Sequence, residues 1–246
     1  MNAPRINATQ RRNRLWWSLL AACLFAGPVH AAQGLTPHTA EYKVKISVVG
    51  GRLNTELTTS ESGYVAKHVI VPTGMSRLLA RGEISEESEF ADGDGGIYPV
   101  AYRSNDTLSR DKGRADIRFD WDANKATGTV DEQDFQSALD GLLHDRVSIQ
   151  YALMHDLLND GPGTQYRLFE VDDLKTINVR SIGIETVKVP AGTFEAVGIQ
   201  HQAENSSRIT TLWCVEELGF LPVIIEQHRK GKLRVRATLR RYTASD

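Results

Sequence analysis

The stretch AEYKVKISV, residues 40–48, places apolar side chains at every even position and polar side chains at every odd position. A period of two is that of a β-strand with one buried face and one solvated face. Gly50-Gly51 comes next, and a glycine pair between two alternating runs predicts a hairpin into a second strand over residues 52–59. The stretch therefore predicts an antiparallel sheet that meets water on one side.

Similar runs recur along the chain, separated by turn residues. They predict strands at residues 64–71, 83–90, 97–104, 114–121, 126–131, 165–171, 175–182, 185–189, 194–202, 208–215, 221–228 and 232–242. About a dozen short strands with tight connections are typical of an antiparallel sandwich or barrel. We therefore predict a mainly β protein, built as a single antiparallel curved sheet or a partly closed barrel.

One segment, residues 145–158, breaks the alternation. Its apolar side chains recur at a helical spacing, at Val147, Tyr151, Met154 and Leu158. Asp145 is a residue type that caps helix N-termini, and Gly161-Pro162-Gly163 ends the pattern. We predict one main α-helix here, which would plug a barrel end or lie across a curved sheet. No repeat or long linker interrupts the chain, so we expect a single domain over residues 32–246.

Residues 1–31 have the composition of a secretory signal peptide. Four arginines and no acid precede an apolar run over residues 15–27, and Val29-His30-Ala31 places small residues at the −3 and −1 positions of a cleavage site. The run is about 13 residues long, shorter than the roughly 20 that a membrane-spanning helix needs. We therefore predict export to the periplasm, cleavage after Ala31 and a mature chain without a transmembrane segment.

Leu20-Ala21-Ala22-Cys23 offers an alternative, because it fits a lipobox in which an acylated Cys23 would anchor the protein to a membrane. The apolar run continues past Cys23 through Ala26, where a processed lipoprotein usually turns polar. This favours soluble export, and the lipoprotein stays as the alternative.

The charge balance argues against nucleic acid as a partner. The chain has 29 basic and 31 acidic residues, and loss of the four arginines of residues 1–31 leaves 25 against 31, a net charge of −6. A mildly acidic protein lacks the electrostatic footprint of a nucleic-acid-binding domain. Cys214 has no intramolecular mate once Cys23 is cleaved off or acylated, so we expect no disulfide.

The sequence contains no strong catalytic or metal motif. Gly74-Met75-Ser76 begins like a nucleophile elbow but lacks the closing glycine. The histidines show no His-x-x-x-His spacing, and the acidic clusters at residues 92–96 and 120–124 are better explained as turns than as calcium loops. We expect no cofactor and no metal.

Cys214 is the one candidate nucleophile with histidines on neighbouring strands. It could meet His201 or His228 as a thiolate–imidazole pair, although an inert, buried cysteine is the better interpretation. We expect that the protein is not an enzyme. A hydrolase whose site is dispersed over separate strands stays open as an alternative.

The last predicted strand carries the most distinctive charge pattern. Four basic residues alternate with apolar ones and are our candidate contacts to a ligand or an anionic surface: Lys232, Arg234, Arg236 and Arg240. They would contact anionic lipid or an envelope protein. Alternatively, they pair across the sheet with the acidic run over residues 83–94 or guard an edge strand.

Several motifs occur in a recognisable order. They are GGIYPVAY at 95–102, FDWD at 119–122, DRVSIQY at 145–151, VPAGTFEA at 189–196, LWCV at 212–215 and FLPV at 220–223. Together they resemble the exported bacterial proteins of domain-of-unknown-function family 3108 over roughly residues 38–243. The resemblance implies a mostly antiparallel β protein of the envelope with a curved, partly closed sheet and one main helix. It carries over no catalytic residue, and the fold it implies is similar to that of periplasmic lipoprotein carriers, which is an analogy of fold and not of site.

These observations favour a non-enzymatic binding protein of the bacterial envelope, which holds a lipid, another apolar ligand or an envelope protein in the concavity of its sheet. A scaffolding module is the alternative, and the oligomeric state stays open. A large apolar hollow would favour ligand binding, and a flat exposed apolar patch would favour the scaffold. A cleft with converging titratable groups would favour an enzyme.

Overall fold

Fourteen strands form a single antiparallel sheet in the part of the chain that the structure, a computed structural model, describes: residues 33–47, 49–93, 95–109, 113–159, 161–170 and 173–245. The strands are β1 His38–Ile46, β2 Val49–Ser60, β3 Gly63–Pro72, β4 Ile84–Gly93, β5 Gly96–Asp106, β6 Gly113–Asp120, β7 Lys125–Val130, β8 Gln133–Ala138, β9 Gln165–Glu170, β10 Asp173–Val189, β11 Gly192–Ala203, β12 Arg208–Val215, β13 Leu221–Arg229 and β14 Lys232–Ala244. The helices are α1 Ser76–Leu79, α2 Ser148–Asn159 and a 3-10 turn at Glu216–Leu218.

The order of the strands explains how the sheet is built. Strands that are consecutive in sequence pair with each other on both sides of a central β1–β14 pair, and the sheet ends at β8 on one side and β9 on the other. The segment between these two edge strands contains α2. The sheet is curved and not closed, which confirms the prediction of a mainly β protein with a single antiparallel curved sheet and one main helix.

The alternation in the first strand is that of the predicted half-buried strand. Ala40, Tyr42 and Val44 are buried, whereas Thr39 and Lys43 are exposed. Helix α2 covers part of the buried face, where the Tyr151 ring stacks on Phe90 with a centroid distance of 5.4 Å. The core therefore lies between α2 and one face of the sheet.

Asp145 caps α2 as predicted. Its Oδ1 accepts hydrogen bonds from the backbone N–H groups of Val147 at 2.8 Å and Ser148 at 2.9 Å, and Ser148 Oγ accepts one from the N–H of Asp145 at 2.9 Å. Its Oδ2 accepts from the hydroxyl of Ser88 on β4 at 2.6 Å. The helix begins at Ser148, three residues after the cap, because the cap and the residues up to Val147 form its entry turn.

The predicted turn at Gly50-Gly51 was wrong. Both glycines lie inside β2, where they pair with Lys45 and Val44, and the chain turns before β2 begins at Val49, with a left-handed φ of 52° at Ser47. A Cβ at Gly51 would lie 3.2 Å from the carbonyl oxygen of Val71. This glycine therefore serves a close approach between strands and not a turn.

Two further differences concern strand boundaries. β8 was not predicted, because its sequence QDFQSA is polar and carries a single large apolar residue. The predicted strands at 175–182 and 185–189 are one long strand, β10, whose register with β11 shifts between Ser181 and Gly183. A β-bulge at this point keeps the chain in the sheet although the hydrophobic pattern breaks.

No helix among the described residues is long and apolar enough to cross a membrane. The signal peptide, its cleavage after Ala31 and the lipobox at Cys23 concern residues 1–32, which lie outside the described residues. These stay predictions.

Candidate functional site

A cleft of about 660 Å³ lies between α2 and strands β9–β13. Its apolar lining includes Ile149, Leu153, Leu168, Ile177, Leu212 and Ile225. Small-molecule sites are typically clefts of about 300–1,000 Å³ with a mainly apolar lining and a few placed polar groups. The volume of this cleft lies within that range, and its lining combines these apolar side chains with polar and charged residues of the same elements.

The side chains of β12 and β13 change in character along the cleft. Three successive cross-strand pairs line it: Leu212 with Ile225, Thr210 with Gln227, and Arg208 with Arg229. Alternate residues of a strand share a face, so the three pairs form one continuous surface. Leu212 and Thr210 are buried and both arginines are exposed, so this surface runs from an apolar interior to a cationic rim.

His201 faces Thr210 from the neighbouring strand β11 and also lines the cleft. Burial lowers the pKa of its imidazole to about 4, so the ring is neutral at pH 7. The hydrogen bonds found among the described residues leave its ring nitrogens unused. His201 therefore offers a neutral donor and acceptor to the cleft.

The rim near α2 is charge-balanced. Arg146 Nε lies 3.2 Å from Glu86 Oε1, and the hydroxyl of Tyr102 donates to the same oxygen at 2.7 Å. Lys175 forms an ion pair with Glu170, and both line the cleft. The cations on this side are held by acids of the protein itself.

A second polar cluster lies in the core and was missed in the sequence. His68 Nε2 lies 3.3 Å from the hydroxyl of Tyr151, and the His38 ring is 6.3 Å from the Tyr151 ring. Burial lowers the pKa of His68 to about 4 and raises the pKa of Tyr151, so both groups are neutral. His38 lies on β1 and His68 on β3, so the two histidines are far apart in the sequence. The only sequence signal for the cluster is that His38 lies on the apolar face of its strand.

The basic residues of β14 are partly neutralised by neighbouring strands. Arg236 Nη1 lies 3.1 Å from Glu226 Oε1 on β13, and Arg240 Nη1 lies 3.1 Å from Glu41 Oε1 on β1. Since β14 is a central strand, the interpretation as a guarded edge was wrong. The acidic run over residues 83–94 lies mainly on β4, and three strands, β3, β2 and β1, separate β4 from β14, so pairing with that run was wrong too.

A register shift separates Lys232 from the other basic residues. β13 and β14 pair as Gln227 with Val235 but as Arg229 with Lys232, because a bulge intervenes. Directly paired residues share a face, so Lys232 lies on the face of Arg229 and not on that of Arg236. The four basic residues, including Arg234 and Arg240, therefore do not form one row. Contact of Arg234, Arg236 and Arg240 with an anionic surface stays a prediction.

Cys214 is buried and lies away from the histidines of the neighbouring strands. It pairs with Val197 and Pro222, whereas His201 pairs with Thr210 and His228 with Ile209. Four residues along a strand span about 13 Å. Burial also raises the pKa of the thiol to about 12, so the thiolate–imidazole alternative is not formed. Within the described residues, no group of three or more His, Cys, Asp or Glu side chains is placed to hold a metal ion.

Comparison with protein families gives the relationship that the sequence motifs suggested. Residues 38–238 match the model of a family described as protein of unknown function DUF3108. The chain belongs to the DUF3108 family. The resemblance seen in the ordered motifs is thereby confirmed, and the cleft and the β12–β13 surface lie within the matched residues of this DUF3108 protein. No curated protein matches the chain.

Solved structures show the same architecture in a distant protein. A beta-barrel-like protein of domain of unknown function DUF1849 from Brucella abortus superposes with a TM-score of 0.60 and 12% identity, over 87% of this chain and 100% of its own. A "putative lipoprotein" from Parabacteroides distasonis aligns with a TM-score of 0.35 and 12% identity, over 86% of this chain and 100% of its own. The first likeness shows that the DUF3108 protein has a β-barrel-like fold.

Proposed function

We propose that this DUF3108 protein is a non-enzymatic binding protein of the bacterial envelope and holds an apolar ligand in the cleft between α2 and β9–β13. The observation that carries the proposal is the cleft itself, with about 660 Å³ of space and apolar residues contributed by both the helix and the sheet. A curved sheet with a helix across it builds such a space without a closed barrel.

The side chains in the cleft support binding over catalysis. His201 is the titratable residue best placed for acid–base work, but its pKa of about 4 makes it a weak base. Glu170 is engaged by Lys175, and Glu86 by Arg146, so these carboxylates serve ion pairs. Catalysis by a base requires a partner that orients it, and His201 has no such partner among the described residues.

The location in the periplasm is part of the same proposal. It rests on residues 1–31, whose basic start, apolar run and small residues before position 32 have the order of a secretory signal. An exported binding protein would meet lipids and other apolar molecules of the envelope. Anchoring through Cys23 would keep the protein at a membrane and would leave the cleft available.

Native mass spectrometry of the protein purified from its own host tests the binding role. We expect the wild-type protein to carry a co-purified small molecule, which an Ala203→Trp variant lacks because the indole would occupy the cleft lined by Ala203. Ala138→Trp is the matched control, since Ala138 is exposed on the edge strand β8. Wild-type and Ala203→Trp proteins that bind the same set of molecules would refute the proposal, and a co-purified protein in place of a small molecule would favour the scaffold.

A further inference from the structure

We infer that the ligand of the cleft is an amphiphile with an apolar chain and an anionic headgroup, and that Arg208, Arg229 and Lys232 bind the headgroup. This inference rests on the proposed binding function and adds the chemical class of the ligand. The anionic group is a carboxylate or a phosphate monoester, because arginine binds both through paired N–H donors.

The arrangement of the three cations is the first argument. Arg229 is the cross-strand partner of Arg208 on one side and of Lys232 on the other, so three positive side chains lie next to one another across β12, β13 and β14. Directly opposed residues have Cβ atoms about 4.5–5.5 Å apart, and like charges in this position destabilise a sheet. Because the row of Arg208, Arg229 and Lys232 destabilises the sheet, we infer that these residues serve binding.

The absence of internal counter-charges is the second argument. Among the ion pairs of the described residues none includes Arg208, Arg229 or Lys232, whereas the cleft cations near α2, Arg146 and Lys175, are each paired with a glutamate. Glu204 also lines the cleft, and none of the ion pairs of the described residues includes it. The positive charge of this rim is therefore available to an anion from outside.

The position of the row relative to the apolar lining is the third argument. The arginine pair is the outermost of the three cross-strand pairs, followed inward by Thr210 with Gln227 and then by the apolar Leu212 with Ile225. A ligand that matches this surface has a charged group at one end and an apolar chain at the other. A neutral hydrocarbon would leave the cations unused, and a small anion would leave the apolar interior unused.

Displacement of a neutral fluorophore from the full-length protein tests separately whether the cleft binds a ligand and whether that ligand is an anion. N-phenyl-1-naphthylamine reports occupation of the cleft. Decanoate, decyl phosphate and 1-decanol compete with it for the cleft, and the three competitors have the same ten-carbon alkyl chain but different headgroups. We expect at least one of the two anions to displace the fluorophore at a concentration at least tenfold lower than 1-decanol does. This preference should shrink as the salt concentration rises toward 1 M, where the Debye length is about 3 Å.

The variant Arg208→Gln/Arg229→Gln should bind the fluorophore and 1-decanol like the wild type and lose the preference for the anions. Its melting temperature should be unchanged or higher, since a repulsive pair is removed. Arg81→Gln/Arg118→Gln is the control, because both arginines are exposed and lie outside the cleft. The control variant should keep the anion preference of the wild type.

Each outcome bears on one claim. A wild-type protein that binds neither the fluorophore nor any of the three ten-carbon competitors refutes the proposed function. If the wild-type protein binds the fluorophore but prefers 1-decanol or shows no headgroup preference, the inference about the anion is wrong while the cleft remains a binding site. This wild-type comparison decides the point even if the double variant does not fold. The better of the two anions identifies the headgroup.

Discussion

His144 is a buried histidine immediately before the helix cap. Its side chain is 4% exposed and its ring lies 5.9 Å from the ring of Tyr166. Burial lowers the pKa of the imidazole to about 4, against a value near 6.5 in an unfolded chain. Between these two pH values the unfolded chain takes up a proton that the folded protein does not bind.

We expect this difference to make the protein less stable in acid. The stability is fully present above about pH 6.5 and falls as the pH drops toward 4, because proton uptake favours the unfolded state. For His144 alone, the loss between pH 7 and pH 5 is about 2 kcal/mol. Urea unfolding at both pH values should show a loss smaller by this amount in His144→Phe than in the wild type. An equal loss of stability in both proteins would contradict this prediction, because it would mean that the His144 ring takes up its proton equally well in the folded and the unfolded protein.

At the scale of the elements, the cap of α2 connects the helix to the sheet. Asp145 accepts two hydrogen bonds from the first turn of the helix and one from Ser88 on β4. Burial raises the pKa of its carboxyl group, and these donors act in the opposite direction. One side chain therefore fixes both the start of the helix and its position against β4.

We expect Asp145→Ala to destabilise the protein by about 2–4 kcal/mol. The lost cap accounts for about 1 kcal/mol, and the buried Ser88 hydroxyl left without its acceptor accounts for about 1–3 kcal/mol. Asp145→Asn keeps an acceptor oxygen for the helix and should cost less. The midpoint of urea unfolding gives both values, and a loss below 1 kcal/mol in the alanine variant would show that Asp145 does not hold the helix.

The elements with a strong local signal were predictable from the sequence. β1 and β6 alternate apolar and polar residues, and α2 has a helical stripe and a capping residue, so their type follows from short-range pattern alone. β8 has no apolar face that would indicate a strand; it forms because β7 offers an unpaired edge. The turn at Ser47 was missed because Gly50 and Gly51, which follow it, lie inside β2 and serve contact between strands.

At the scale of the whole molecule, the residues that line the cleft could not be predicted, because they depend on long-range register. The pairing of Arg208 with Arg229 and of Arg229 with Lys232 joins three strands, and a bulge in β14 decides which face Lys232 occupies. A single-residue shift reverses the face of a side chain, and no local pattern records it. The four basic residues of β14 were therefore recognised as notable, but their division between two faces follows only from the fold.

The N-terminal segment predicts the location of the molecule, and we expect the mature chain to begin at Ala32. Val29 and Ala31 supply the small residues that a signal peptidase requires, and the apolar run before them is too short to remain as a membrane span. N-terminal sequencing of the protein from the host periplasm measures the start directly. Ala31→Arg should block cleavage and leave the precursor in the membrane fraction, whereas Cys23→Ser should leave both cleavage and location unchanged. A mature chain that begins at an acylated Cys23, and that Cys23→Ser no longer retains at the membrane, would support the lipoprotein alternative over soluble export, and the cleft would then bind its ligand at a membrane surface.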